Sequence, residues 1–409
     1  MGDRFLKKQL VAAVLIAAVL VMVRASEPGQ PPPGRQRPSL AKGEAGLPRE
    51  AGEARRLARE LARLRLAGDK AGAARVFARL FDFDPAGDPV TSLKTAAAAQ
   101  SGRLIGAAAA DKDVPAGTNA DPVFATADPE TRPTADVRRS GDGTGAVFTA
   151  AERWSGNRPG NICVRKSAAG GVTWDGTVVF GGGLPRTQPS LVLLADDTVG
   201  VAYVEDWSDR DGDIRFLRLS ADLAEDEEIP VALSLADERA PSLATDRGSY
   251  PDAYGYLVYA QERDGVRSIM FRVSPDLGSS WSRATAIDAF AAPAEAAGTA
   301  LAYDPGRNAL HVAYARPWTG SSGIVVSTSR DFGASWSRPV SVTPAGAGSC
   351  DRPRIAARDG EVVVVFERGT GSGRDTGLAR SPASGRSWIQ GESLAATAAA
   401  EGAPDVRAA

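Results

Sequence analysis

The sequence predicts an all-β chain of repeated four-stranded units, six with five as the alternative, preceded by a small helical hairpin. Three observations carry this. An eight-residue segment recurs at a nearly constant interval. Short β-rich runs recur in fixed order around it. Helical periodicity is confined to one short stretch ahead of the repeats.

In chain order, residues 1–25 read as an export signal. Arg4, Lys7 and Lys8 precede an unbroken apolar run over 10–23, and Val23-Arg24-Ala25 offers a cleavage site. The alternative is an uncleaved membrane anchor. The expected location is therefore secreted or periplasmic, or membrane-anchored through this segment. Residues 26–48 form a proline-rich spacer, with five prolines between 27 and 38.

Residues 49–85 predict a helical hairpin. Leu57, Leu61 and Leu64 fall at helical steps, and Gly68-Asp69 breaks the pattern. Val76, Phe77, Leu80 and Phe81 line a second helix, closed by Asp84-Pro85. One such hairpin cannot bury its own face, so it packs on the main domain or on a protein partner. Its basic stripe reads as a solvated face.

Residues 90–409 hold the repeats. Ser274, Asp276, Gly278 and Trp281 form Ser-x-Asp-x-Gly-x-x-Trp, and Ser329, Asp331, Gly333 and Trp336 repeat it. The segments from Ser167 to Trp174 and from Ser381 to Trp388 keep Ser, Gly and Trp but lose Asp, and Ser220 and Asp222 keep only that pair. The five serines are 53, 54, 55 and 52 residues apart. β runs precede the segments at 161–166, 214–219, 269–273 and 324–327. Earlier runs lie at 145–151, 199–205, 256–260, 309–315 and 362–367, each behind a strand led by Pro133, Pro189, Pro241, Gly298-Thr299 or Pro353. Runs such as 178–180 and 340–342 follow. Four strands in about fifty residues is the pattern of a β-propeller blade. In the turn between third and fourth strands, Gly supplies a positive φ, Ser and Asp bond backbone amides, and Trp fills apolar space.

These segments resemble the Asp-boxes, or bacterial neuraminidase repeats, of sialidase-like propellers. The resemblance covers residues 130–409. It implies the fold more than an activity, because Asp-boxes also occur in propellers that cleave nothing. Pro404 begins a sixth unit, Gly117 lies 54 residues before Gly171, and Val123-Phe124-Ala125 matches a fourth strand. Residues 90–128 are thus expected to complete a sixth blade together with the C-terminal strand.

Composition narrows the chemistry. A net charge of −2 over 409 residues argues against nucleic-acid binding. His311 is the one histidine, which excludes multi-histidine metal sites and leaves Ser-His-Asp chemistry to that residue alone. Cys163 and Cys350 read as two separate small core residues, with pairing in an exported protein as the alternative. Asp209, Asp211 and Asp213 read as a solvated turn, because an EF-hand would need Gly and Glu where Ile214 and Ser220 stand. No metal and no cofactor is expected.

A meander blade places the Asp-box turns on one face. The opposite face gathers Arg132, Arg239 and Arg352 at the start of first strands. The ends of second strands add Glu152-Arg153-Trp154, Glu205-Asp206-Trp207, Glu262-Arg263, Arg316 with Trp318, and Glu367-Arg368. Arginines, carboxylates and indoles around a funnel suit a glycan or anionic small ligand. The same residues also suit pairing between blades.

Sialidases use an arginine cluster, a tyrosine nucleophile paired with glutamate, and an aspartate acid/base. Arg132-Pro133 is similar to the Arg-Ile-Pro motif of that family, and Ala151-Glu152-Arg153 to its Ala-Glu-Gly-Arg segment. Arg239-Ala240-Pro241 spaces its arginine better. The loop at 155–161 holds Asn157 but no carboxylate, and the last tyrosine is Tyr314. Tyr203 and Tyr314 occupy equivalent places in second strands and read as core. The expectation is an exported propeller that binds a glycan or other extracellular ligand, with catalysis left open. The alternatives are an exo-sialidase-type glycoside hydrolase and a protein-binding scaffold.

Overall fold

The computed structural model describes residues 47–81 and 130–395, less short stretches between strands. The export segment, most of the spacer, residues 90–128 and the strand begun at Pro404 lie outside the described residues.

Five four-stranded antiparallel sheets follow one another along the chain. The first holds β1 (Glu130–Arg138), β2 (Ala146–Ser155), β3 (Arg158–Ser167) and β4 (Val178–Gly181). The second holds β5 (Arg186–Leu193), β6 (Val199–Ser208), β7 (Asp211–Leu219) and β8 (Glu225–Ala232). The third holds β9 (Asp237–Thr245), β10 (Gly255–Arg263), β11 (Val266–Ser274) and β12 (Thr285–Ala291). The fourth holds β13 (Thr299–Asp304), β14 (Ala309–Trp318), β15 (Ser321–Ser329) and β16 (Val340–Ser341). The fifth holds β17 (Cys350–Arg358), β18 (Glu361–Arg368), β19 (Asp375–Ser381) and β20 (Ile389–Ala395). Each sheet is a simple meander, and the first strand of each packs against the first strand of the next. This is the arrangement of propeller blades.

Period-two alternation serves both faces of a sheet. On β6, Val199, Val201 and Tyr203 pack toward the first sheet, whereas Ala202 and Val204 pack toward the third. A strand covered on both sides must be apolar throughout, so β6 and β10 read as almost continuous hydrophobic runs. The outer strand β12 is largely exposed, and its sequence is mixed. Separate cores fill the four interfaces between successive sheets.

Backbone amides cross these interfaces to side chains. Leu191 N donates to Thr134 Oγ1 at 3.4 Å, Leu243 N to Ser190 Oγ at 2.9 Å, and Leu301 N to Ser242 Oγ at 3.0 Å. Each acceptor follows Pro133, Pro189 or Pro241. The residue before the proline is left-handed at Gln188 (φ 54°), Ala240 (φ 52°) and Arg352 (φ 48°), and the register slips there. These are β-bulges. The fourth sheet lacks the proline and pairs without a slip from Thr299 to Asp304. There Gly298 has no side chain to spare: a Cβ would stand 2.9 Å from Arg352 Cα in the next sheet.

The repeated turns behave as their residues require. Ser274 Oγ accepts from Gly278 N at 2.7 Å and donates to Asp276 Oδ1 at 2.9 Å, which also accepts from Ser280 N at 2.8 Å. Ser329, Gly333, Asp331 and Ser335 repeat the set. Ser167 and Ser381, whose segments lack Asp, keep the bond from Gly171 N or Gly385 N. Gly333 has φ 93°, and a Cβ there would collide with the Phe271 ring of the preceding sheet. Trp336 is half-buried and meets Phe271 edge-on at 5.2 Å, and Trp281 meets Phe216 likewise at 5.4 Å. The glycine and indole are thus part of the joint between sheets.

Helices α1 (Leu47–Leu66) and α2 (Lys70–Phe81) form the hairpin. Gly68 (φ 70°) ends α1, and Asp69 Oδ1 accepts from Gly72 N at 2.8 Å at the start of α2. Leu57, Leu61, Leu64, Val76, Phe77 and Phe81 join the core shared by the third and fourth sheets. The apolar face that could have served a protein partner is spent on the main domain.

Both cysteines are free and buried. The expected solvated aspartate turn needs correction. Asp211 and Asp213 belong to β7, Asp213 is fully buried, and its main chain pairs with Glu205. Asp209 lies outside the described residues.

Candidate functional site

The candidate face is built from the bulged starts of first strands and the ends of second strands. The bulge aims the residue before proline out of the ladder. Most of the expected side chains here are engaged, Arg352 with Glu367 and the others chiefly with residues outside the expected set.

Arg352 shows this in its simplest form. Its Nη1 holds both oxygens of Glu367, at 3.1 and 3.0 Å. Glu367 is 4% exposed, whereas Arg352 is 48% exposed. Nε and Nη2 of Arg352 make no bond among the described residues.

Arg239 is more enclosed. Its Nε donates to Asp237 Oδ1 at 2.7 Å, and its Nη1 donates to Asp206 Oδ1 of the preceding sheet. Asp206 also accepts from Thr187 Oγ1 at 3.0 Å, and Asp237 from Gly212 N at 3.0 Å. This arginine ties two sheets together. Sequence reasoning reads Asp206 with Glu205 and Trp207 at the end of its second strand, but misses Asp237, two residues before Arg239.

The glutamates are likewise committed. Glu152 is buried and accepts from the bulged Gln188 N at 2.6 Å. Gln188 Oε1 in turn accepts from the next bulge, Ala240 N, at 2.7 Å. Glu205 pairs with buried Arg215 of the same sheet. Glu262 takes Arg267 Nη2 at 2.8 Å. Arg263 is exposed beside Asp264. Arg316 Nε lies 3.0 Å from Asp288 Oδ2.

Arg153, Trp154 and Arg368 are half-buried, and each has a partner. Trp207 is half-buried, with its indole N–H shielded and without an acceptor. The side chains of Arg132, Asn157 and Trp318 lie outside what is described. Among the described residues no cluster of His, Cys, Asp and Glu is arranged to hold a metal ion.

Tyr203 and Tyr314, the tyrosines of equivalent second-strand places, are closed off in the same way. Tyr203 donates to Glu228 Oε1, and Arg186 Nη2 holds Glu228 at 3.1 and 3.3 Å. Tyr203 is fully buried, and burial drives its phenol well above the ordinary range. Tyr314 is also fully buried, bonded to Asp288 Oδ2 at 3.0 Å, and shifted upward mainly by burial. Both are core residues, as their places in second strands predict. A Tyr–Glu–Arg group therefore exists, but nothing in solution reaches its oxygen.

No protein-family model and no curated protein matches this chain. Among solved structures, it is similar to a protein of unknown function from Dyadobacter fermentans at 12% identity and TM-score 0.44, over 61% of this chain and 79% of that one. It is similar to an α-L-arabinofuranosidase from Fusarium graminearum at 19% identity and TM-score 0.44, over 64% and 80%. It is also similar to a polysaccharide lyase, an ulvan lyase, at 9% identity and TM-score 0.46, over 64% and 69%.

Proposed function

We propose that this chain is a non-catalytic, Asp-box-type propeller that binds an anionic glycan through the face bearing Arg352. The observation that carries the reading is the guanidinium of Arg352. One of its nitrogens satisfies a buried carboxylate, and the other two remain free on a half-exposed side chain. A planar fork held in place by its own counter-ion is suited to a sugar carboxylate or sulfate. Trp207 and Trp154 are carried on the same strand ends and supply half-buried aromatic surface.

The absence of catalysis follows from commitment of the acids. General acid and base catalysis needs a carboxyl free to change its protonation state at the substrate. Glu152, Glu205, Asp206, Glu262 and Glu367 are each held by a cation, a hydroxyl or a backbone amide. Retaining hydrolysis of a sialoside needs an accessible nucleophile, and Tyr203 and Tyr314 are sealed.

The experiment is a titration of the full chain with sialylated and uronic oligosaccharides, run beside an activated aryl sialoside. Binding is expected, with Arg352→Ala weakening it by about 1.5–3 kcal/mol, and no aryl release is expected. Turnover abolished by one tyrosine substitution would establish the hydrolase instead. No glycan binding, with a protein partner found, would favour the scaffold.

Two further proposals belong to this reading. Residues 90–128 and the C-terminal strand complete a sixth blade, so a chain beginning at Thr131 should not melt cooperatively. The chain is exported through residues 1–25, which N-terminal sequencing of secreted material would test.

A further inference from the structure

Three arginines lie in neighbouring turns at the other end of the sheets, two of them in turns that carry the Ser-x-x-x-Gly segments. Arg307 lies between β13 and β14, Arg330 between β15 and β16, and Arg386 between β19 and β20. All three are exposed.

A short stretch of backbone brings them together. Ser384 N donates to Gly360 O at 2.6 Å, joining two turns of the fifth sheet. Arg330 Nη2 reaches across from the fourth sheet to Ser384 O at 3.1 Å. Arg307 Nε lies 2.9 Å from the point a Cβ on Gly360 would occupy. Arg386 is two residues beyond Ser384, in the turn closed by its own N–H to Ala383 O at 3.2 Å.

The acids nearby are already used. Asp304 is fully buried and accepts from Gly306 N at 3.0 Å and Gly360 N at 2.8 Å. Asp359 is exposed, and its partner is Arg358, at 3.5 Å. None of the three arginines has a carboxylate at ion-pair distance among the described residues. Burial and the neighbouring Arg386 and Arg307 charges hold Arg330 below its ordinary value, against the opposite pull of Asp304. Like charges held together without a counter-ion are unfavourable unless an anion joins them.

We propose that Arg307, Arg330 and Arg386 form a site for a tetrahedral oxyanion, the sulfate or phosphate group of an anionic ligand. Guanidinium forks from three turns match the several acceptor oxygens of such a group. A neighbouring cavity of about 510 Å³ gives room for the rest of the ligand. Tyr250, Tyr303, Asn308, Arg358 and Asp359 line it, together with Gly306, which flanks Arg307; Arg307, Arg330 and Arg386 stand outside the lining. The site lies on the opposite face from Arg352 and does not depend on the glycan reading.

The test is calorimetric titration of the full chain with sodium sulfate, sodium phosphate, glucosamine 6-sulfate and glucose 6-phosphate, at ionic strength fixed with chloride. Saturable one-to-one binding is expected, weakened about tenfold or more by Arg386→Gln and by Arg307→Gln. Arg352→Ala should leave it unchanged. Tighter binding of one sugar ester than the other identifies sulfate or phosphate as the group read. Melting temperatures of the variants should match the parent, which separates loss of the site from loss of fold. Absence of saturable binding, or equal binding by folded Arg386→Gln and Arg307→Gln variants, would overturn the proposal.

Discussion

Nη1 of Arg65, near the end of α1, lies 2.7 Å from Oδ2 of Asp246, just beyond β9, and both side chains are almost wholly shielded from water. The guanidinium is stacked 3.5 Å from the Tyr254 ring centre and 4.0 Å from that of Tyr250. Asp246 also accepts from Tyr256 Oη at 2.6 Å and from Tyr254 N at 2.6 Å. A buried charge with every lone pair occupied anchors the hairpin to the third sheet.

Removing one partner of that pair strands the other. Arg65→Ala is expected to destabilise the protein by about 3–5 kcal/mol in chemical denaturation. The double substitution Arg65→Met, Asp246→Leu should cost less than the single one, because no uncompensated charge remains. Equal costs would mean that water reaches Asp246 once the arginine is gone.

The joint between third and fourth sheets makes a second prediction. Trp336 is half-buried, so Trp336→Ala should cost roughly 2–3 kcal/mol, below the range for a fully buried indole. Gly333→Ala should cost more although it only adds a methyl group. It combines a left-handed φ with a collision against Phe271. Thermal melts of the two variants would rank them.

Ser242→Ala should cost about 1–3 kcal/mol, because it leaves the Leu301 N–H without its acceptor in the inner layer. Amide exchange at Leu301 should quicken relative to Leu243, whose acceptor Ser190 is untouched.

His311 makes stability depend on pH. Its ring is fully buried, Nδ1 lies 3.0 Å from Thr328 Oγ1, and burial together with Arg330 lowers its pKa to about 4. The folded state therefore takes up its proton later than the unfolded state, whose value is near 6.5. Stability from this residue is complete above about pH 6.5 and is lost as pH falls toward about 4, a difference on the order of 3 kcal/mol. His311→Gln should flatten that part of the profile of melting temperature against pH.

Much of the fold could be read because repetition multiplies weak signals. A single Ser-x-Asp-x-Gly-x-x-Trp segment is ambiguous, but five serines at nearly equal intervals fix the order of the strands around them. The bonds of Ser274 and Ser329 are those their residue types imply. The clasps were not legible, although Thr134, Ser190 and Ser242 each follow a proline in plain view. A hydroxyl at a strand position looks like any solvated residue until the neighbouring sheet is in place. The candidate face was legible in composition and not in pairing. Arg239 and Arg352 look alike in sequence. Whether an arginine is spent depends on acids brought from another sheet, as Asp206 is to Arg239 and as no second acid is to Arg352.

The clasps have a direction. Thr134, Ser190 and Ser242 are acceptors on the earlier sheet, and the amides they receive, Leu191, Leu243 and Leu301, belong to the later one. Glu152 and Gln188 follow the same rule toward Gln188 N and Ala240 N. In these five bonds the earlier sheet offers a ready acceptor to the segment that leaves the ribosome next, whereas Gly212 N in the second sheet waits for Asp237 of the third. For the inner strands, the growing chain can add one sheet at a time to a surface that already carries these hydrogen-bond acceptors, while the N-terminal hairpin must wait for the third and fourth sheets on which it packs.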